Sequence, residues 1–324
     1  TSLNHKSAPT IDDIYGQEQA KRAIQIAVAG RHNILLSGPP GSGKTMLAKS
    51  LKNLLPALSE DEIVEVTKLH SLGEHTIINN TVVDRPFRSP HHTASRASII
   101  GGGSKVQPGE ISLAHRGVLF LDELLEYPRT VLESLRQPLE DHEITVSRAN
   151  GKFNFPANFL LVATMNPCPC GFLGDPEKTC ICSQNQILNY QKRLSGPLLD
   201  RIDLTVSVSR VPHEKLLNNK MSTKSQQETF LSEIHKAYSV QRDRYKCSYK
   251  YNNDIPSSNV DKITSISESA KTFLMDAAKK LDLSTRSYFK VIKVSRTIAD
   301  LEGSTSIEIP HIAESLQYRQ INIG

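Results

Sequence analysis

The chain has 324 residues, 38% of them hydrophobic and 23% charged, which leaves room for roughly two domains at about 100–200 residues each. No apolar run approaches the roughly 20 residues that cross a bilayer, so a transmembrane helix is excluded. Lysine plus arginine (39) exceed aspartate plus glutamate (34) by five, and this net charge of +5 permits a nucleic-acid partner without arguing for one.

Residues 1–13, TSLNHKSAPTIDD, contain no apolar signal core and no initiator Met. The expectation is a cytoplasmic chain, and a fragment of a longer one. The first strong element is an apolar strand at 33–37 (NILLS), followed by GPPGSGKT at 38–45. A strand, a glycine-rich turn and a helix start form the context of a phosphate-binding loop. Gly38, Gly41 and Gly43 let backbone N–H groups converge on phosphate oxygens. Lys44 is expected at the β- and γ-phosphates and Thr45 at Mg²⁺. Pro39, Pro40, Ser42 and Met46 complete the candidate contacts to ATP.

Residues 88–93 (RSPHHT) suit a helix start, and adjacent histidines on a helix point apart, which disfavours a shared metal. Residues 98–110, SIIGGGSKVQPGE, read as a mobile loop, with Ile99 and Ile100 either packing on bases or anchoring it. The run GVLFLDE at 117–123 predicts a central parallel strand, buried on both faces. Its C-terminal end presents Asp122, expected beside Mg²⁺, and Glu123, expected to polarise the attacking water.

Residues 143–155, EITVSRANGKFNF, predict a hairpin turning at Asn150-Gly151. Arg148 and Lys152 flank its tip and suit a phosphate backbone, although a solvated hairpin with ordinary surface charges has the same pattern. A third buried strand at 159–166 (FLLVATMN) delivers Asn166. It orients the lytic water, touches the γ-phosphate, or merely caps the turn before Pro167.

Cys168, Cys170, Cys180 and Cys182 have the spacing Cys-x-Cys-x9-Cys-x-Cys. Four thiolates can close a structural tetrahedral Zn²⁺ site, with free thiols, a disulfide or an iron–sulfur cluster as alternatives. Past residue 212 the α/β pattern fades. Helices are expected at 228–244, at 267–281 behind a serine cap, at 285–301 and at 310–319, which suits a helical lid closing over the nucleotide. The fold class is α/β: a parallel sheet flanked by helices over 1–212, then a helical lid over 213–324.

GPPGSGKT, VLFLDE and ATMNP in this order resemble an AAA+ P-loop ATPase. IYGQEQAKRAIQIAVAG resembles the adenine-contacting segment of that superfamily, which implicates Ile14, Tyr15 and Gly16. FRSPHHTAS, GGGSKVQPGEISLAHRGVLFLDE, NPCPCGFLGDPEKTCICS, RLSGPLLDRIDL and STRSYFKVIKVSRTIADLEG resemble the magnesium-chelatase-like ComM/YifB family, over about 11–319. Members of that family usually carry a further N-terminal domain resembling the Lon protease fold.

The resemblance implies hydrolysis of ATP between subunits of a homohexamer. Arg201 matches the arginine that reaches a neighbour's γ-phosphate, with Arg193 as a rival. Arg286 matches the lid arginine called sensor 2. Either residue could instead be a surface cation paired with Asp200, Asp203 or Asp282. The hairpin and the glycine-rich insert fall where this family lines a pore, which makes Lys105, Arg148 and Lys152 expected DNA contacts. The implied task is branch migration or helicase activity on single-stranded or branched DNA. The alternatives are a chelatase-type or a chaperone-like remodeller of proteins.

Overall fold

The computed structural model describes residues 8–73, 81–103, 106–148, 151–211, 225–246, 251–260 and 264–319. Its strands are β1 (Ile34–Ser37), β2 (Phe87–Arg88), β3 (Gly101–Gly102), β4 (Gln107–Pro108), β5 (Val118–Leu121), β6 (Glu143–Arg148), β7 (Gly151–Pro156), β8 (Leu160–Met165) and β9 (Leu204–Ser207). Five of them form one sheet in the order β2-β5-β8-β1-β9. All four pairings are parallel, so the loops after Ser37, Leu121 and Met165 open on one edge.

The continuous apolar runs are explained by this placement. Ile34, Leu36, Val118, Phe120, Val162 and Val206 point into one core layer, with Ile24, Leu47, Ile234 and Ile298 from flanking helices. Leu35, Leu119, Leu121, Leu161 and Ala163 point into the other, with Ile99, Ile111, Leu132 and Leu198. Side chains alternate along a strand, so a strand covered on both faces needs apolar residues at every position.

Residues 98–110 are not one mobile loop. Ile99 is fully buried at the end of the helix Arg96–Ile100, Ile100 is buried beside it, and β3 pairs with β4. The two isoleucines therefore anchor the insert in the protein. Lys105 lies outside the described residues. The segment 88–93 starts as the edge strand β2 rather than a helix, and the helix begins only at the Ser95 cap.

The hairpin forms, with its turn one residue earlier than expected. Ile144 pairs with Phe155, Val146 with Phe153 and Arg148 with Gly151, so 149–150 connect the strands and lie outside the described residues. Ile144, Val146 and Phe155 are buried on the face that the hairpin turns to the protein.

The C-terminal helices run over Gln226–Tyr245, Glu268–Lys280, Thr285–Leu301 and Ile309–Gln317. Ser225, Ser267 and Ser284 cap the first three by accepting from the backbone N–H three residues on. These helices also share the main core layer, through Ile234, Ala237, Val294 and Ile298. A buried polar network fixes their seat. Asp300 pairs with Arg244 at 2.5 Å and Arg296 at 2.9 Å, and Asn252 donates to Asp300 and to Thr297. Thr297 Oγ1 meets His32 Nε2 at 2.7 Å, just ahead of β1. Removing one partner from such a buried cluster strands a charge, typically at ~3–5 kcal/mol.

Candidate nucleotide site and four-cysteine loop

The phosphate loop links the end of β1 to the helix Lys44–Ser50. Gly43 caps that helix at φ 88°, a conformation that favours glycine, and no side chain bonds the first N–H groups. A Cβ on Gly38 would stand 2.1 Å from the Val208 carbonyl oxygen, so the chain can pass there only as glycine. Lys44 is buried, and its ammonium donates to Gly38 O at 2.7 Å, Pro39 O at 2.8 Å and Asn166 Oδ1 at 3.3 Å. Burial lowers the Lys44 pKa, opposed by the charges of Asp122 and Glu123.

The register of the sheet brings the acidic pair to the same edge. Leu121 lies opposite Ala163, which sets Asp122 beside Thr164. The Thr164 hydroxyl, almost fully buried, donates to Asp122 Oδ1 and accepts from the Glu123 backbone N–H at 3.1 Å. Thr45 Oγ1 donates to Asp122 Oδ2 at 3.2 Å. Glu123 itself sits in the left-handed region, φ 53° and ψ 53°. Such a backbone costs a non-glycine residue ~1–3 kcal/mol and holds only where its surroundings impose it. Its carboxylate reaches out beside His92 Nδ1, at 3.8 Å. Burial, then Asp122 and Glu123, raise the pKa of nearby Tyr127, whose hydroxyl donates to Pro90 O.

The loop is shaped to receive an anion. The buried Ser42 Oγ has no hydrogen-bond partner, and an added Cβ on Gly41 or Gly43 meets open space. The Thr45 hydroxyl and the Asp122 carboxylate are the oxygen donors that suit Mg²⁺. Ile14 is buried, Tyr15 is half exposed, and Gly16 lies against the Val211 side chain, close to the loop by way of Val208 and Arg210.

Arg201 and Arg286 are elsewhere. The Arg201 carbonyl accepts from Asn33 Nδ2 at 3.0 Å, and Asp203 N donates to Asn33 O, which places them at the N-terminal ends of β1 and β9. The five steps along the chain from Asn33 to Gly38 span about 17 Å at ~3.3 Å each. Arg286 shares that remote edge: both guanidiniums pair with Glu140. Burial, then Arg286 and Arg136, lower the pKa of Arg201. The C-terminal helices thus bring Arg286 to Arg201, and not over the phosphate loop of their own chain as a closing lid would. The reason is the shared apolar layer and the Asp300 network, which fix the helix Thr285–Leu301 against the helix Glu18–Gly30. Arg193 lies near the acidic end, donating to Leu125 O at 3.2 Å with Glu126 at 3.7 Å.

The four cysteines converge, with ligand sulfurs all within 4.8 Å of one another. Cys168 Sγ is 3.4 Å from Cys170 Sγ and 3.6 Å from Cys180 Sγ, and Cys170 Sγ is 3.6 Å from Cys180 Sγ. A disulfide needs ~2.05 Å. A tetrahedron with Zn–S near 2.3 Å has S···S edges of about 3.8 Å. The sulfurs therefore fit a zinc ion. A backbone N–H from Phe172 leads the interactions that pull the Cys170 thiol down to about 6.

Residues 10–216 match the model of the magnesium chelatase family, subunit ChlI, and 223–319 match its C-terminal model. The chain belongs to the magnesium chelatase ChlI family of AAA+ proteins. Within that family it is 46% identical to competence protein ComM of Haemophilus influenzae, over 98% of this chain and 62% of that protein. It is 41% identical to YifB of Salmonella typhimurium, over 96% of this chain and 60% of that protein. The magnesium-chelatase 67 kDa subunit of Heliobacterium mobile is 28% identical over 50% of this chain and 28% of its own length. The chain thus spans about three fifths of the ComM and YifB relatives.

Lys152 is exposed on the hairpin, paired with Ser147. His91 bonds Thr93 at 2.8 Å, and its ring lies 4.1 Å from that of His92. Sequence reasoning missed Thr164 and Arg210. A single hydroxyl in an otherwise apolar buried strand was the available signal for Thr164. Arg210 gave none, because its partners are distant in sequence. Among the described residues, no helix is long and apolar enough to cross a membrane.

Proposed function

We propose that the chain is the ATP-hydrolysing subunit of a ring-shaped motor acting on DNA. One observation carries this reading: the phosphate-binding and acidic residues occupy one edge of the sheet, and Arg201 and Arg286 occupy the other. One copy cannot bring both sets to one phosphate, whereas a second copy presenting its arginines can. Lys44, Ser42 and the loop N–H groups bind the triphosphate, and Thr45 and Asp122 hold Mg²⁺, which supplies charge neutralisation at the phosphates. Glu123 accepts a proton from the attacking water, Asn166 orients that water, and a neighbour's Arg201 and Arg286 stabilise charge on the leaving phosphate.

The DNA substrate rests on the similarity to competence protein ComM, together with the exposed Lys152 on the ribbon that comes just before the β8 strand and Asn166 in the chain. The finer reading is branch migration or helicase action on incoming DNA during natural transformation, by a homohexamer. A protein-directed remodeller, chelatase-type or chaperone-like, is the second reading, favoured by the magnesium-chelatase match.

Steady-state ATP hydrolysis with and without single-stranded and branched DNA, blanked by Glu123→Gln, separates the two. Stimulation by DNA is expected. Indifference to DNA, with stimulation by a protein partner instead, overturns the motor. Mixing inactive Lys44→Ala with inactive Arg201→Ala should restore part of the activity, because each supplies what the other lacks. No restoration across mixing ratios, in variants that still assemble with each other, counts against a shared site.

A further inference from the structure

The four-cysteine loop is attached to the phosphate loop. Its Gly171, at φ 83°, packs so tightly on Pro40 that a Cβ would stand 2.6 Å from Pro40 Cδ and 3.8 Å from Asn166 Cγ. The second attachment is Arg210, three residues past β9. Its guanidinium donates to Pro40 O at 3.1 Å. The same group pairs with the fully buried Asp175 carboxylate at 3.2 Å and with Glu177 at 3.4 Å, and lies 5.6 Å over the Phe172 ring. Asp175 in turn accepts from the N–H groups of Glu177 and Lys178, which folds the segment between the cysteine pairs. One arginine therefore spans the cysteine loop and the carbonyl of a phosphate-loop proline.

We propose that Arg210 is a positioning residue through which metal bound by the four cysteines and nucleotide bound at the phosphate loop strengthen each other. This rests on the reading of the loop as an ATP site. The coupling comes from ordering. Each residue fixed costs ~1–2 kcal/mol of backbone entropy, and the ligand that arrives first bears that cost for both. A metal at Cys168, Cys170, Cys180 and Cys182 fixes both ends of the segment carrying Phe172, Asp175 and Glu177. That fixes Arg210, and Arg210 with Gly171 fixes Pro40 and the edge of Asn166. Coupling of this kind is reciprocal: nucleotide must tighten the metal by the factor by which metal tightens nucleotide.

The test is a zinc competition titration on the purified chain, using a chromogenic zinc chelator. It is run with and without the Mg²⁺ complex of a non-hydrolysable ATP analogue, whose binding is followed in parallel by calorimetry. In the wild type the analogue should tighten zinc about 5- to 20-fold, within the usual range of coupling. In Arg210→Gln, zinc and analogue should each still bind, with the coupling reduced to less than about twofold. Gly171→Ala, which presses on Pro40 from the cysteine side, should weaken the analogue and leave one zinc bound. A structural role alone would shift both affinities without changing their ratio. Zinc affinity indifferent to the analogue in the wild type, or full coupling in Arg210→Gln, overturns the proposal and leaves the ATP site standing. Failure to bind zinc also overturns it. Failure of the zinc-loaded wild type to bind the analogue overturns the ATP site as well.

Discussion

Thr164→Val tests the construction of the acidic edge most directly. The substitution keeps the shape of the side chain and removes one hydroxyl, in a residue that is 1% exposed. That hydroxyl donates to Asp122 and accepts from the Glu123 N–H. A hydrogen bond to a charged group contributes ~1.5–3 kcal/mol. The left-handed backbone at Glu123 also loses one of the contacts imposing it, so a loss of about 2–3 kcal/mol is expected. At ~2.1 cal/mol/K of unfolding entropy per residue, a chain of 324 residues loses about 1.5 °C per kcal/mol, so the melting midpoint should fall by roughly 3–4.5 °C. Misplacing the Asp122 and Glu123 carboxylates should cost hydrolysis about tenfold or more, since ~1.4 kcal/mol of barrier is one decade. Nucleotide affinity should change by less than about threefold, because Lys44 and the loop N–H groups are untouched. Thr164→Ser, which keeps the hydroxyl, should recover most of the rate. The measurements are thermal melting, analogue binding and steady-state hydrolysis. A Thr164→Val chain that melts and turns over like the wild type refutes the reasoning.

Lys44→Ala should abolish nucleotide binding, read by calorimetry; unchanged affinity removes Lys44 from the site. Glu123→Gln should bind ATP with near-normal affinity and hydrolyse it at least ~100-fold more slowly, and normal turnover would exclude it as the base. Metal analysis should find one zinc per chain, lost in Cys180→Ser; four titratable thiols without zinc in the wild type would refute the site. Burial depresses His32 to about 4, so this group stabilises the fold fully above its unfolded value near 6.5. As pH falls from 6.5 towards 4 the unfolded chain takes up the proton first, and about 3 kcal/mol is lost. Urea midpoints should therefore fall over that window in the wild type and fall less in His32→Gln. Equal slopes would show that His32 is not the group responsible.

The sequence by itself determined the local elements and their chemistry. GPPGSGKT after an apolar strand has one common physical use, and VLFLDE and FLLVATMN carried their burial in their composition. The serine caps and apolar spacing of the C-terminal helices placed those helices to within a few residues of where they fold. Four cysteines at short spacing announced a cluster that could hold a metal, because covalent proximity already brings each Cys-x-Cys pair together.

The tertiary structure alone decided how these pieces face one another. A continuous apolar run states that a strand is covered on both faces; it does not state by what, and here one covering layer includes the C-terminal helices. The buried Asp300 network and its apolar neighbours fix that layer, and so bring Arg286 to Arg201 instead of over the phosphate loop. The hairpin pairs Arg148 with Gly151, one residue earlier than the local preference of Asn150-Gly151 for the turn. Arg210 touches Pro40, Asp175 and Glu177, separated from it by 170, 35 and 33 positions (the differences of their numbers). Contacts at that distance arise from chain topology and packing, which no local pattern encodes.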